Sequence, residues 1–374
     1  MMNRRHFSVA AGAATLGGFQ LARAQGDTPL VLGQSAPFTG PAAQLGIQFH
    51  QGAKLFLDQY NSQPGRRQVV IKNLDDGYEP DRCAANTQKL IEEDVFALFG
   101  YIGTPTSLAA MPLAVKDKVP FIAPFTGAMS LREPFQKNVF HLRASYNDET
   151  ALIVKQLTHL HLKKIAVFYQ NDAYGKAGLD GVTLALSQQD LKPLALATVE
   201  RNSVDVAAAV KTIVAAKPDA VVQVGAYKAC AAFIRQARKA GYGGTFFNVS
   251  FVGTQALADE LGKEGAGVMV TQVVPSPYNP ANALTREFSD AVKKVGASAS
   301  ANFSSMEGYL AAKVLTEGLR KAPGKPTRES LIAGLESIDR QQFGGFEVSF
   351  SAKNHVASKF VELSMITADG RVRT

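Results

Sequence analysis

The 374-residue chain has no tryptophan, only two cysteines and only six histidines. Without tryptophan, intrinsic fluorescence rests on ten tyrosines and is a weak reporter of binding. Two cysteines exclude a small disulfide-stapled scaffold. Cys83 and Cys230 lie far apart in helix-like stretches, so they are expected to be free thiols. Basic residues outnumber acidic ones by 40 to 32, yet they form no long run. That pattern argues against a nucleic-acid partner. The paired histidines, His159 and His161, stand at i and i+2 of a helical pattern and point apart, which makes a poor metal site. Neither a Gly-x-Ser-x-Gly elbow nor a phosphate-binding Gly-x-x-x-x-Gly-Lys-Ser/Thr loop occurs. His141 ends a strand-like run with no evident Ser or Cys partner. Catalysis, a metal and a cofactor are therefore not expected.

The one apolar stretch near membrane length is at the start, residues 7–22, and it falls short of the ~20 residues of a bilayer span. It follows Arg4-Arg5 and precedes Ala22-Arg23-Ala24, a small-x-small cleavage pattern. Residues 1–24 read as an export signal, with the twin arginine suggesting the Tat route. A membrane anchor is the alternative. Three arginines and no acid leave with this segment, so the formal charge of +8 becomes +5. The mature chain is expected in the periplasm.

What is present is alternation. Apolar strand-like runs at 30–36, 68–74, 95–99, 120–123 and 139–142 are separated by helix-like segments at 46–59, 81–94 and 107–116. The rhythm restarts with strands at 164–169, 193–199, 220–224, 245–249 and 267–271. Helices at 151–161, 178–188, 204–216 and 229–240 separate them. Such alternation predicts parallel sheets covered on both faces. Pro275 and Pro277 interrupt the second unit and suit a connecting segment. Helices at 282–295 and 304–321 and strands at 346–350 and 361–367 complete an α/β chain of two units.

Ligands of open parallel sheets sit beyond the carboxyl ends of the strands. Four turns there carry suitable groups. In FGYIGTPTSLAAMPLA (residues 99–114), Thr104 suits an N-cap and Pro105 the first helical position. With Thr106 they offer hydroxyls and free first-turn amides to an anion. Ordinary helix capping explains the same residues. Pro112 is expected to kink this helix. Phe125-Thr126-Gly127 follows the fourth strand. Tyr174 and Tyr227 follow two strands of the second unit, where rings at the mouth suit a small apolar ligand with one polar end. Asp75, Asp76 and Glu79 read as a polar turn.

The motifs GQSAPFTG (33–40), DDGYEP (75–80), GYIGTPTS (100–107), NDAYG (171–175) and IRQARKAG (234–241) occur in order. With the export signal and two α/β units, the chain resembles the type I periplasmic binding proteins of the leucine/isoleucine/valine-binding kind. That family feeds ABC importers. The resemblance covers nearly the whole mature chain and implies two Rossmann-like lobes joined by a three-segment hinge. It divides the chain into 25–143 plus 276–349, and 144–275 plus 350–374. By position it implies ligand contacts from Thr104, Phe125, Thr126, Gly127, Tyr174 and Tyr227, with Phe251 alongside and Leu45 in place of an aromatic residue. The Pro105–Thr106 turn would add amide donors.

Two departures bear on the ligand. Amino-acid binders of this family hold the ligand's ammonium with an acid where this chain reads Asn248-Val249-Ser250-Phe251. Gly127 also stands where they commonly carry a hydroxyl. An unpartnered buried ammonium costs several kcal/mol, against about 8 kcal/mol for micromolar binding. The expected ligand is thus a small carboxylate without an α-amino group, aromatic or branched aliphatic, unless Asp172 or another acid reaches in. A branched-chain amino acid stays open on that ground. The implied role is a monomeric receptor delivering this ligand to an inner-membrane ABC permease. Alternatives are a sensory protein docking on a chemoreceptor or sensor kinase and, more remotely, an envelope amide hydrolase.

Overall fold

A computed structural model describes residues 28–296 and 299–374. The export-signal segment 1–24 lies outside the described residues. The first unit runs β1 (Leu30–Ala36), α1 (Ala43–Asn61), β2 (Val69–Asp75), α2 (Pro80–Glu92), β3 (Ala97–Phe99), α3 (Thr104–Lys116), β4 (Phe121–Ile122) and β5 (Val139–Phe140). Its five strands form a parallel sheet in the order β2-β1-β3-β4-β5. β1, LVLGQSA, is almost wholly buried, as an interior parallel strand must be. β2 alternates between buried and exposed positions and takes the edge.

The second unit contains α4 (Tyr146–His159), β6 (Ile165–Gln170), α5 (Ala173–Ser187), β7 (Leu196–Val199), α6 (Ala207–Ala216), β8 (Ala220–Val224), α7 (Tyr227–Lys239), β9 (Thr245–Asn248), α8 (Thr254–Leu261) and β10 (Met269–Gln272). The chain then forms α9 (Ala283–Val295), α10 (Phe303–Lys321), α11 (Arg328–Glu336), β11 (Gln341–Phe343), β12 (Phe346–Val348), β13 (Glu362–Ile366) and β14 (Val372–Arg373). The second sheet has the order β14-β13-β10-β9-β8-β6-β7. Its β6–β10 strands are parallel, and β13 and β14 close it antiparallel. α10 lies along α1 of the first unit, so the chain passes between the sheets three times. These are the two lobes of the expected α/β fold.

Several elements differ from the sequence expectation: α4 and α5 each start five residues early, α1 and α3 three, and one strand changes its place. α3 starts at Thr104, three residues early, and Gly103 with φ 98° is its N-cap. Thr104 is therefore the first helical residue, not the cap, and Pro105 is the second. The physical reason is the left-handed turn at Gly103, where a Cβ would stand 2.2 Å from Cε2 of Tyr78. The helix continues through Pro112 to Lys116. The strand expected at 346–350 is instead half of a separate β11–β12 hairpin. α8 and α11 had no strong sequence pattern. Cys83 on α2 and Cys230 on α7 are buried free thiols, as expected.

α1 and α10 cross with their backbones nearly touching. A Cβ at Gly52 would stand 1.8 Å from the Ser305 carbonyl oxygen, and one at Gly308 2.0 Å from that of Phe49. Because the obstacles are backbone atoms, neither helix can yield locally. Gly308→Ala is expected to destabilise the protein by about 2–3 kcal/mol, outweighing the ~1 kcal/mol that alanine gains in helix propensity. Urea unfolding checks this, and an unchanged midpoint would show that the helices separate freely.

Candidate functional site

The carboxyl ends of the two sheets face each other across a small, fully enclosed aromatic cluster. Phe251 stands in a single 3-10 turn, Ser250–Val252, after β9. Its ring centroid lies 4.4 Å from Tyr174, 5.8 Å from Phe125 and 5.8 Å from Tyr78. Tyr146 adds a ring 5.5 Å from Tyr174. All five rings are buried. Tyr78 and Phe125 come from the first unit, and Tyr174 and Phe251 from the second. Tyr146 opens α4, just after the first passage between them.

Polar groups line one side. The Thr104 and Thr126 hydroxyls are 2.6 Å apart. Thr126 Oγ1 also accepts from the Ala128 amide at 3.2 Å. The Ser107 amide closes the first helical bond onto Gly103 O, so the amides of Thr104 and Thr106 belong to the unpaired first turn. Thr106 contributes its amide only, because its hydroxyl donates to the Ile102 and Gly103 carbonyls. Ser107 Oγ is buried without a partner among the described residues. Gly127 O accepts from the Tyr146 amide at 2.8 Å. Tyr174 OH reaches Gly225 O at 3.5 Å. Tyr227 OH receives the Gln44 amide at 3.5 Å across the cleft, nearer its rim. Leu45 packs on Gly253, where a Cβ would stand 2.4 Å from its Cδ2.

Behind these walls lies a buried ionic network that sequence reasoning did not find. Arg143 donates from Nε and Nη2 to the Glu307 carboxylate at 2.8 and 2.7 Å, and from Nη1 to Ser250 Oγ at 3.1 Å. Its guanidinium carbon lies 3.8 Å from the Phe125 ring centroid. Burial works against its charge, but Glu307 outweighs burial and holds it charged. Glu149 accepts from the Ser250 amide at 2.7 Å, from Ser250 Oγ at 3.0 Å and from Thr271 Oγ1. Burial pushes its carboxyl above the ordinary range. Arg132 ties the Thr126–Ala128 loop to the carbonyls of Arg143 and Ala144. The available signal was a lone charge inside an apolar run: Arg143 after VFHL, and Glu307 within FSSMEGYLAA.

At the rim, Arg201 Nη2 meets Glu79 at 2.9 Å, and Asn202 Nδ2 donates to Glu79 at 2.7 Å and Gly77 O at 3.0 Å. Asp172 caps α5 through the Tyr174 and Gly175 amides and also takes Gln170 and Arg201. The polar turn at 75–79 thus does more than end a strand. Among the described residues no group of three or more His, Cys, Asp or Glu is placed to hold a metal. No described helix is long and apolar enough to cross a membrane.

Two parallel-sheet lobes thus meet at a buried aromatic cluster. Residues 29–371 match the family model described as "Periplasmic binding protein", and the chain belongs to that family. A Leu/Ile/Val-binding protein homolog of Brucella abortus is 24% identical, over 97% of this chain and 95% of its own. A possible leucine/isoleucine/valine-binding protein from Rhodopirellula baltica is 34% identical, with a TM-score of 0.86 over 93% of this chain and 97% of its own. An ABC-transporter solute-binding protein from R. palustris, solved in complex with benzoate, is 21% identical with a TM-score of 0.82, covering 92% and 95% of the two chains. The chain is a type I periplasmic binding protein of the Leu/Ile/Val-binding type, a family whose place is the periplasm.

Asp76 links the site to a pH dependence. It accepts from Ser35 Oγ at 2.8 Å and from the Tyr78 amide at 2.8 Å, which fixes Tyr78 at φ 65°. Burial pushes its pKa up to about 6. An unfolded aspartate titrates near 3.9, so the fold binds the extra proton between about pH 4 and 6. Its stability contribution is full below that window and falls as pH rises through it. Asp76→Asn, which mimics the protonated form, should match the wild type near pH 4 and exceed it by roughly 2–3 kcal/mol at pH 7.5. Thermal unfolding at both pH values measures the gap, and a gap that does not change with pH refutes the assignment.

Proposed function

We propose that the protein is the periplasmic solute receptor of an ABC importer and that its ligand is a small aromatic or branched aliphatic carboxylate lacking an α-amino group. The observation that carries this reading is the state of the nearby acids. Each nearby acid already has partners: Glu149 accepts from Ser250 and Thr271, Glu307 from Arg143, and Asp172 from its helix cap, Gln170 and Arg201. A ligand ammonium would meet only carboxylates already engaged and would have to share one with these donors. A carboxylate, by contrast, meets hydroxyls and first-turn amides at Thr104–Ser107 and Thr126, where a helix start favours negative charge. The five rings supply an apolar wall of mutually tilted faces. The benzoate held by the R. palustris relative is of this ligand class. The two lobes, hinged at the passages near residues 143, 275 and 349, would close over it, with residues 25–143 and 276–349 in one and the rest of the mature chain in the other.

A thermal-shift panel tests the reading. It comprises benzoate, phenylacetate, 4-methylpentanoate, 4-methyl-2-oxopentanoate, leucine and valine, added to ligand-stripped protein. Ligand at 100 times its Kd adds about 2.7 kcal/mol of stability. Acids without an amino group should raise Tm and leucine should not. Strong stabilisation by leucine or valine overturns the proposal and restores a branched-chain amino-acid receptor. For an acid that binds, Thr104→Val should weaken affinity by about 1–3 kcal/mol with little change in the unliganded Tm. Unchanged affinity would reduce the 103–107 turn to a helix start.

A further inference from the structure

Gly127 and Tyr146 occupy one another's space. The Tyr146 amide donates to Gly127 O at 2.8 Å, which holds the two residues back to back. A Cβ on residue 127 would lie 2.6 Å from Cδ1 of the Tyr146 ring and 2.6 Å from its backbone nitrogen. No side chain fits at 127, because the backbone nitrogen of residue 146 stands in the way as well as the tyrosine ring. The ring is fixed from its own side as well. Tyr146 opens α4 directly after the Ser145 cap, whose hydroxyl and amide exchange bonds with Asp148.

The phenol at the end of this fixed ring is anomalous. Tyr146 is 1% exposed, and its hydroxyl makes no well-formed hydrogen bond among the described residues, although the Thr126 hydroxyl and the Gly127 backbone lie close enough to pull its pKa down. A buried hydroxyl left unpaired is costly, and its neighbours here are Tyr174, Thr126 and Arg143. Burial pushes the phenol up to about 12, against the pull of Arg143 and Thr126, so it keeps its proton and remains a donor. Ser107 Oγ, on the same face of α3 as Thr104 at i+3, is the second buried hydroxyl in this state.

We propose that Tyr146 is a further ligand-binding residue of this receptor: its hydroxyl donates to the ligand's carboxylate beside Thr104 and Thr126. This rests on the carboxylate reading above and adds a donor to it. A phenol O–H donates to a carboxylate oxygen in a charge-assisted bond. Residue 127 offers no side chain to the loop, and the phenol supplies the donor on that side.

The test is Tyr146→Phe, which keeps the ring and its packing. The probe is the tightest binder among benzoate, phenylacetate and 4-methylpentanoate, titrated calorimetrically against wild type and variant. Loss of a hydrogen bond to a charged group should weaken the variant by roughly 10- to 100-fold. The unliganded Tm should stay level or rise, because an unpaired buried hydroxyl has gone. A merely structural tyrosine gives the opposite signature, a lower unliganded Tm with equal affinity, and that result overturns the inference. Equal affinity with an unchanged Tm overturns it too. If the wild type binds none of the three acids, the carboxylate reading itself falls and takes the inference with it. Tyr146→Leu is the second variant. It removes the phenol donor as Tyr146→Phe does, and is expected to show the same loss of probe affinity.

Discussion

The structure turns on one buried charge. Arg143 sits where the chain first leaves the β1–β5 sheet, and it holds three separate parts of the molecule. Glu307 brings in α10, Ser250 brings in the turn after β9, and Phe125 covers its face. A buried ion pair is a poor source of net stability, but removing one partner is severe, typically 3–5 kcal/mol, because a charge is left uncompensated. The pair therefore acts as a constraint on geometry. A displacement of α10, of the 250–252 turn or of the 125–127 loop leaves a charge or a hydroxyl unpaired.

The ligand wall inherits its positions from that constraint. Phe125 is pinned under the guanidinium, and the next two residues are Thr126 and Gly127. Arg132 fastens the same loop to the carbonyls of Arg143 and Ala144, and Tyr146 follows two residues later. Ser250 is shared between Arg143 and Glu149, which sets Phe251 among the rings. The site is thus built from short loops with little secondary structure of their own. Their precision comes from a polar network lying behind the aromatic surface.

Much of this was legible in the sequence, and the exceptions have physical causes. The alternating strands and helices were readable because interior parallel strands are continuous apolar runs, as β1 and β8 show. Thr104, Phe125 and Tyr174 were singled out because turns beyond parallel strands are where ligands sit, and the structure brings all three to the inter-lobe cluster. The start of α3 was misplaced, since Thr-Pro is a strong capping signal and the competing constraint, Tyr78 against Gly103, is a contact between distant segments. Arg143, Glu149 and Glu307 were passed over because pairings across more than a hundred residues leave no local pattern. Gly127 was read as a missing hydroxyl. Only the structure shows Tyr146 packed against it.

The 77–79 segment shows why rim and interior are not separate features. Gly77 and Glu79 are held by Asn202 and Arg201 of the opposite lobe, while Tyr78 between them points its ring inward against Phe251 and its hydroxyl toward Gln170 at 3.3 Å. Three successive residues thus alternate between latch and wall. Asp75 and Asp76 fix the segment from below, Asp75 through Phe38, Thr39, Gly77 and Arg82, and Asp76 through Ser35 and the Tyr78 amide. Separating the lobes breaks the rim bonds and parts Tyr78 from Phe251 in the same movement. The aromatic wall is complete only when the rim is shut, so the rim bonds and the aromatic contacts between the lobes form together.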